Sequence, residues 1–347
     1  MKKRISLVAS LLVFSFLTAS CGNTTAGGEE SSDIIFTGHY SAPDVVSQES
    51  DDPGFAVSEG SESVDASEET SSTQNTSSAT ESAKDPEDER ILYRNQCTVQ
   101  GICASEDFLF VSYSPSRNGN KNDYKIRKVD LVTGEVLMTS KEKFNHANGM
   151  TYNKNTNEVI VCAFDGNSGS TETTSDDDYC LFVVDADTLT LKEKVNLKDA
   201  VLSVYDKSCG IGGVTYSAEK DEYYALTRFP DRYILVFDGE FNLKDDIFLY
   251  SAAEMSGTTG DLCFDGTYFY IPYWRSDIDK NRNDVVLFDT RGRRVATYAV
   301  DGATHIESLD IVGDKLYASF INYIGSSSEM SQVYVLPILT ESINMKK

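Results

Sequence analysis

Two short phrases set an imidazole beside a second polar side chain at a spacing of two: His146-Ala147-Asn148 and His305-Ile306-Glu307. On an extended chain, residues two apart share a face, so each phrase presents its two groups together. An imidazole next to a carboxylate can move a proton or hold a divalent cation. It can equally bond backbone and water and fill a polar space. A second set is aromatic and cationic. Tyr113, Phe164 and Tyr273 end short apolar runs, Arg228 precedes Phe229, and Trp274-Arg275 follows Tyr273. An exposed Trp274 beside Tyr273 suits stacking on a sugar ring or another planar or apolar face. The run Asp277 to Asp284 offers oxygen ligands at Asp277, Asp279, Asn281 and Asp284, as a weak calcium loop does. It lacks the Gly and bidentate Glu of an EF-hand, and a solvated acidic loop is the simpler reading.

Cys97, Cys103, Cys162, Cys180, Cys209 and Cys263 form no Cys-x-x-Cys motif and no cluster with zinc spacing. Cys103 and Cys263 each follow an apolar anchor and read as small packing residues. Bridges Cys97–Cys103 and Cys162–Cys180 stay open as alternatives. No cofactor is implied.

The elements that must position these residues begin at Ile91. From there β-branched and aromatic runs alternate with Gly, Asn and Asp turns, which predicts an all-β domain. The runs repeat. Five strands open with a small or polar residue and an aliphatic anchor: Gly101-Ile102, Gly149-Met150, Gly213-Val214, Asp261-Leu262 and Ser308-Leu309. The anchors are 48, 64, 48 and 47 residues apart, and a polar insertion from Asp165 to Asp178 accounts for the long interval. A second strand follows each, ending at Tyr113, Phe164, Phe229, Tyr273 or Phe320. Four third strands close on Asp130, Asp185, Asp238 and Asp289. The fifth unit lacks a fourth strand, which Ile91-Leu92-Tyr93-Arg94 can supply, joining first unit to last and removing a free sheet edge.

Five four-stranded units of this size resemble a five-bladed β-propeller, with blades near 98–143, 144–208, 209–256, 257–302 and 303–340, closed by 91–96. His146 to Asn153 is similar to blade openings in bacterial extracytoplasmic propellers of the NHL/YVTN sort. The resemblance implies a ligand face over the central channel, where inner strands start and second strands end. It gathers Gln100, His146, Asn148, His305 and Glu307 with Tyr113, Phe164, Arg228, Tyr273, Trp274 and Arg275. Loops around 114–123, 165–179, 274–284 and 321–332 would rise from it. Five-bladed glycosidases place carboxylates on inner strands, because glycoside cleavage needs an acid and a base or nucleophile. The equivalent slots here are Gln100, Asn148 and Gly212, which argues against that chemistry and leaves only Asp261 and Glu307, one position out of register.

The N-terminal quarter reads differently. Met1-Lys2-Lys3-Arg4, an apolar run from Ile5 to Leu17 and Thr18-Ala19-Ser20-Cys21 form an export signal too short to span as a finished helix. The small residues before Cys21 resemble a bacterial lipobox, which implies a diacylglycerol on that thiol and a lipid-anchored, extracytoplasmic location. Thr18 stands where Leu is usual. Residues 22–90 hold 17 acidic groups against Lys84 and Arg90 and are rich in Ser and Thr. Such composition predicts a disordered tether with a reach of roughly 40–50 Å. Within it Asp33-Ile34-Ile35-Phe36 is a candidate docking peptide, a passive spacer being the simpler reading.

The chain's 55 acidic and 31 basic side chains leave a net charge of −24, which excludes nucleic acid as a partner. The expectation is a monomeric surface propeller binding a glycan, wall fragment, peptide or envelope protein. An extracytoplasmic metal-dependent hydrolase or lyase using His146, Asn148, His305 and Glu307 is the alternative, and an envelope assembly scaffold a third.

Overall fold

The computed structural model describes residues 36–41, 91–95, 98–115, 123–162, 164, 176–204, 210–228, 233–250, 261–274, 282–301, 305–324 and 328–337. All lie in the unit running from Ile35 to Lys347. The export signal, Cys21 and the remainder of 22–90 lie outside the described residues. No helix among the described residues is long and apolar enough to cross a membrane.

Among the described residues twenty-one strands form five sheets, antiparallel throughout except where β1 joins one edge. Blade 1 is β3 (Val99–Ala104), β4 (Phe108–Tyr113), β5 (Lys125–Asp130) and β6 (Val136–Thr139). Blade 2 is β7 (Gly149–Asn153), β8 (Glu158–Cys162), β9 (Cys180–Asp185) and β10 (Leu191–Asn196), followed by the short helix α1 (Lys198–Val204). Blade 3 is β11 (Ile211–Ser217), β12 (Glu222–Thr227), β13 (Tyr233–Asp238) and β14 (Leu243–Phe248). Blade 4 is β15 (Cys263–Phe264), β16 (Tyr268–Trp274), β17 (Arg282–Asp289) and β18 (Arg294–Asp301). Blade 5 is β19 (His305–Val312), β20 (Lys315–Ile324), β21 (Ser328–Pro337) and, from the start of the domain, β2 (Ile91–Asn95), paired antiparallel to β21. Inner strands touch in the cycle β3–β7–β11–β15–β19–β3. The fold is a five-bladed β-propeller.

The middle strands are apolar without alternation because each blade is covered on both faces. Val159 to Cys162 and Ile234 to Phe237 are buried throughout. Each seam between blades holds one apolar cluster. Phe110, Ile126, Met150 and Val161 join blades 1 and 2, for example, and Tyr270, Leu287, Leu309 and Ala318 join blades 4 and 5. Fully burying one such aliphatic or aromatic side chain contributes about 1.5–3 kcal/mol.

The aspartates that close third strands have a local task. Asp130 Oδ1 accepts from Val132 N and Thr133 N at 2.9 and 2.7 Å, and Asp185 Oδ1 from Asp187 N and Thr188 N at 3.1 and 2.8 Å. Asp238 and Asp289 bind the amides of Glu240 and Asn242, and of Arg291 and Arg293. A side chain that bonds its own backbone two residues on mimics a turn, which is why the repeat keeps an acid there.

Three expectations change. Phe36–Ser41, inside the stretch read as tether, forms β1, paired in parallel with β18 from Ala296 to Asp301 as a fifth strand of blade 4. The β18 interior from Val295 to Val300 carries no charge, and an uncharged open edge is a template for pairing. Two of the three aromatics of 22–90, Phe36 and Tyr40, fall in this segment. The expected loop at 321–332 is mostly strand, since β20 runs to Ile324 and β21 begins at Ser328. The thiols of Cys103, Cys162, Cys180 and Cys263 are free and buried, so neither disulfide considered from the sequence forms. Cys97 and Cys209 lie outside the described residues.

Candidate functional site: a plugged channel and its mouth

The five residues that open the repeat meet where the inner strands converge. A Cβ on Gly149 would lie 2.5 Å from Asp261 Oδ1 and 2.7 Å from Gly213 Cα, and one on Gly213 would lie 2.8 Å from Asp261 Cα. Glycine is therefore required by close approach, and the space it leaves is filled by a single carboxyl group. Ser308 Oγ donates to Asp261 Oδ2 at 2.5 Å and accepts from Ile102 N at 3.0 Å. Asp261 Oδ1 accepts from Leu262 N at 2.8 Å and Val214 N at 3.4 Å. Blade 1 is bound to blade 2 in the same layer, with Gly101 N and Ser112 Oγ both donating to Ala147 O at 3.0 and 2.8 Å.

Asp261 has no exposed surface. Burial pushes its carboxyl well above the usual range, against the lowering effect of the Ser308 and Leu262 bonds. It is a buried structural plug, its two oxygens taken up by the bonds from Ser308, Leu262 and Val214. The Asp261–Glu307 pair is thereby corrected: Asp261 is fully buried and bonded within the plug, so it offers no second carboxylate to a ligand at the mouth.

The residue before each plug position is treated unusually. Strand pairing skips one residue between Ile211 and Gly213 and between Ile306 and Ser308, and between Val99 and Ile102 it sets Gln100 and Gly101 opposite the single residue Ser112. Gly212, Glu307 and Gln100 thus stand at β-bulges in three blades. Bulges disrupt a ladder to re-aim side chains and are common beside active sites. Glu307 meets His305, with Oε1 3.4 Å from Nδ1. Gln100 is buried. At Gly212 the missing side chain is replaced by Arg228, whose stem lies 3.9 Å from where a Cβ would be.

Blade 2 departs from the expected alternation. His146 sits between two non-glycine residues in left-handed conformation, Asn145 (φ 43°) and Ala147 (φ 45°). Such residues persist only where their surroundings hold them, and they concentrate at functional sites. Here Asn145 O accepts from Tyr124 N, Asn145 Nδ2 donates to Asp177 Oδ2 at 3.3 Å, and Ala147 O takes the two bonds from blade 1. His146 packs edge-on against Tyr124 with ring centroids 5.1 Å apart. Asn148 is 6% exposed, and its buried Oδ1 has no hydrogen-bond donor among the described residues.

The aromatics are not open platforms. Tyr113, Phe164 and Tyr273 are all buried. The Arg127 guanidinium covers Tyr113 at 3.7 Å, and Arg228 covers Phe164 at 4.1 Å. A Cβ on Gly210 would fall 2.6 Å from the Phe164 ring, which fixes glycine there. In this arrangement the three rings pack within the body, two of them under an arginine. Trp274 ends β16 opposite Asn283, and its side chain lies outside the described residues, as do Phe229 and Arg275. Asp277, Asp279 and Asn281 also lie outside. Asp284 belongs to β17, paired with Tyr273 and 5% exposed, so it is a strand residue and no calcium-loop ligand. Among the described residues no three His, Cys, Asp or Glu side chains converge as a metal site.

No family model matches the chain, and neither does any curated protein. Solved structures are similar at low identity. The tail fiber of Staphylococcus aureus phage P68 aligns with a TM-score of 0.46 and 12% identity over 73% of this chain and 54% of that one. Glutaminyl cyclase from Myxococcus xanthus gives 0.43 and 11% over 70% and 97%. Hydrazine synthase from Kuenenia stuttgartiensis gives 0.39 and 12% over 70% and 67%. At these scores nothing of their activities is carried to this chain.

Proposed function

We propose that the chain is an extracytoplasmic recognition module, held to a membrane by lipid on Cys21, whose channel mouth binds a ligand rich in hydrogen-bond donors, a glycan or wall fragment. The observation that carries this reading is the buried Asn148 acceptor with no donor among the described residues, on a strained segment of the mouth whose other polar groups include the Glu307 carboxylate. An unsatisfied buried acceptor costs about 1–3 kcal/mol, and a ligand N–H or O–H offsets that cost. Arg228 adds a cation for acidic sugars or peptide carboxylates. Binding is favoured over hydrolysis by a carboxylate pair because Asp261 is buried in the plug, out of reach of a substrate.

The test is a thermal-shift screen of the full chain against wall saccharides, muropeptides and neutral sugars. A ligand at about 100 times its Kd adds roughly 2.7 kcal/mol, a rise of about 5–10 °C for a domain of this size. The rise is expected to vanish in Asn148→Leu and to weaken in Glu307→Gln. A rise unchanged in both variants would move the site off the channel mouth. No rise with any saccharide would end the glycan reading.

A further inference from the structure

The five blades treat their outer edges differently, and the difference follows charge. The outer strand β10 carries Lys192, Glu193 and Lys194, and β14 carries Lys244, Asp245 and Asp246. Charged edges of this kind resist pairing with other chains. The β18 interior has no charge, and β1 covers it. The outer strand of blade 5, β2, carries Arg94. That leaves β6, Val136-Leu137-Met138-Thr139, which has no charged residue and no strand on its outer side among the described residues. Val136, Leu137 and Met138 are 44%, 51% and 38% exposed. Blade 4 shows that this domain accepts an added strand on an uncharged outer edge, and β6 is the comparable edge still open.

A pocket lies at the start of that strand. It has a volume of about 390 Å³ and sits in the seam between blades 5 and 1, lined by Tyr93, Arg94, Arg127, Gly134 and Val136 among others. The Arg127 guanidinium is held in place from two sides: its Nη1 donates to the Tyr93 hydroxyl at 2.8 Å, and its plane lies over Tyr113. No carboxylate among the described residues pairs with Arg127, although the chain carries a net charge of −24. Its buried Nε has no acceptor among the described residues. Gly134, at φ 72°, brings the β5–β6 turn against Leu92, where a Cβ would approach the Leu92 carbonyl to 3.1 Å. An arginine fixed in this way at the end of an open apolar strand fits one ligand end group, a carboxylate taken by a planar guanidinium fork.

We propose that blade 1 is a peptide-docking edge. An extended segment pairs with β6 and lodges its free C-terminal carboxylate in the pocket at Arg127. Because β6 runs away from the pocket, a peptide ending there is antiparallel to β6, the pairing that is slightly stronger per residue. Main-chain bonds supply affinity and alternate side chains rest on Val136, Leu137 and Met138, the division of labour of strand addition. The site is separate from the channel mouth and stands or falls without it.

The experiment uses the full chain and a randomised heptapeptide library made in two forms, free acid and C-terminal amide. Retention of the free-acid library is expected to exceed that of the amide by tenfold or more. Arg127→Met should erase the difference. Since Arg127 also braces Tyr93 and Tyr113, Leu137→Lys provides a second variant at an exposed position that places a charge on the edge; it should reduce retention of both forms at least tenfold while the far-UV spectrum and melting temperature hold. Equal retention of acid and amide would overturn the carboxylate pocket. Retention unaffected by Leu137→Lys would overturn docking on β6, and no retention of either library would overturn both.

Discussion

Asp310 is the group whose replacement has the clearest consequence. It lies on β19, 8% exposed, and its Oδ2 accepts from Ala104 N of blade 1 at 2.7 Å, across the seam where the ring closes. Burial, outweighing that hydrogen bond, pushes its pKa up to about 7. An unfolded aspartate titrates near 3.9. Between those values the native state holds a proton that the unfolded state has released, so stability is fullest below about pH 4 and falls until pH passes about 7. Each pKa unit corresponds to about 1.36 kcal/mol. Moving from pH 5 to pH 8 therefore costs about 2.7 kcal/mol through this residue alone. At roughly 2–4 °C per kcal/mol, the melting temperature should drop about 5–11 °C. Asp310→Asn keeps an acceptor for Ala104 N and cannot ionise. Its melting curves at pH 5 and pH 8 should lie closer together than those of the wild type by that amount, with Asp261 supplying a residual slope of the same sign. Parallel wild-type and variant dependences would refute the assignment of a buried, neutral Asp310.

Other consequences can be checked with equal directness. The turn carboxylates behave oppositely: amide bonds from Thr133 and Val132 lower Asp130, and those from Thr188 and Asn242 lower Asp185 and Asp238. Their stabilisation is present above the unfolded pKa and lost as pH falls through the folded one, so calorimetry across pH 2–9 should find a maximum at roughly pH 4–6, and a maximum above pH 7 would contradict the plug and seam chemistry. Gly149→Ala should destabilise by about 1–3 kcal/mol or more, since the new methyl would meet the buried Asp261 Oδ1 at 2.5 Å and Gly213 Cα at 2.7 Å; an unchanged melting temperature would mean the plug is looser than described. Iodoacetamide at pH 8 should leave Cys103, Cys162 and Cys263 unmodified in the native protein, because burial raises all three thiols, and modify them after unfolding. Native-state labelling at Cys162 would show that the channel wall opens.

The architecture was legible because a blade needs the same solutions each time. Glycine, aspartate or serine recurs where five strands crowd one axis, and an acid recurs where the third strand turns. Such positions are set by local geometry, which period and residue type reveal. The mouth was less legible. Gln100, His146, Asn148 and Glu307 stand out by polarity, but the left-handed backbone at Asn145 and Ala147 has no glycine to announce it. Ser112, Asp310 and Ser331 look like ordinary strand residues, yet each side chain binds a backbone amide of blade 1. Partners 206 or 232 residues away leave no mark on local pattern. Arg127 was hidden for a related reason, since the ring it covers, that of Tyr113, belongs to another strand.

The strand β1 gives the domain a mechanical order of failure. A pull on the chain upstream of Phe36 reaches the six-residue ladder on β18 before it reaches β2, the strand that latches the ring. Between Ser41 and Ile91 lie 49 residues, a contour of roughly 160–175 Å when drawn straight. Load from upstream therefore meets the β1 ladder on blade 4 first and the ring-closing strand β2 second.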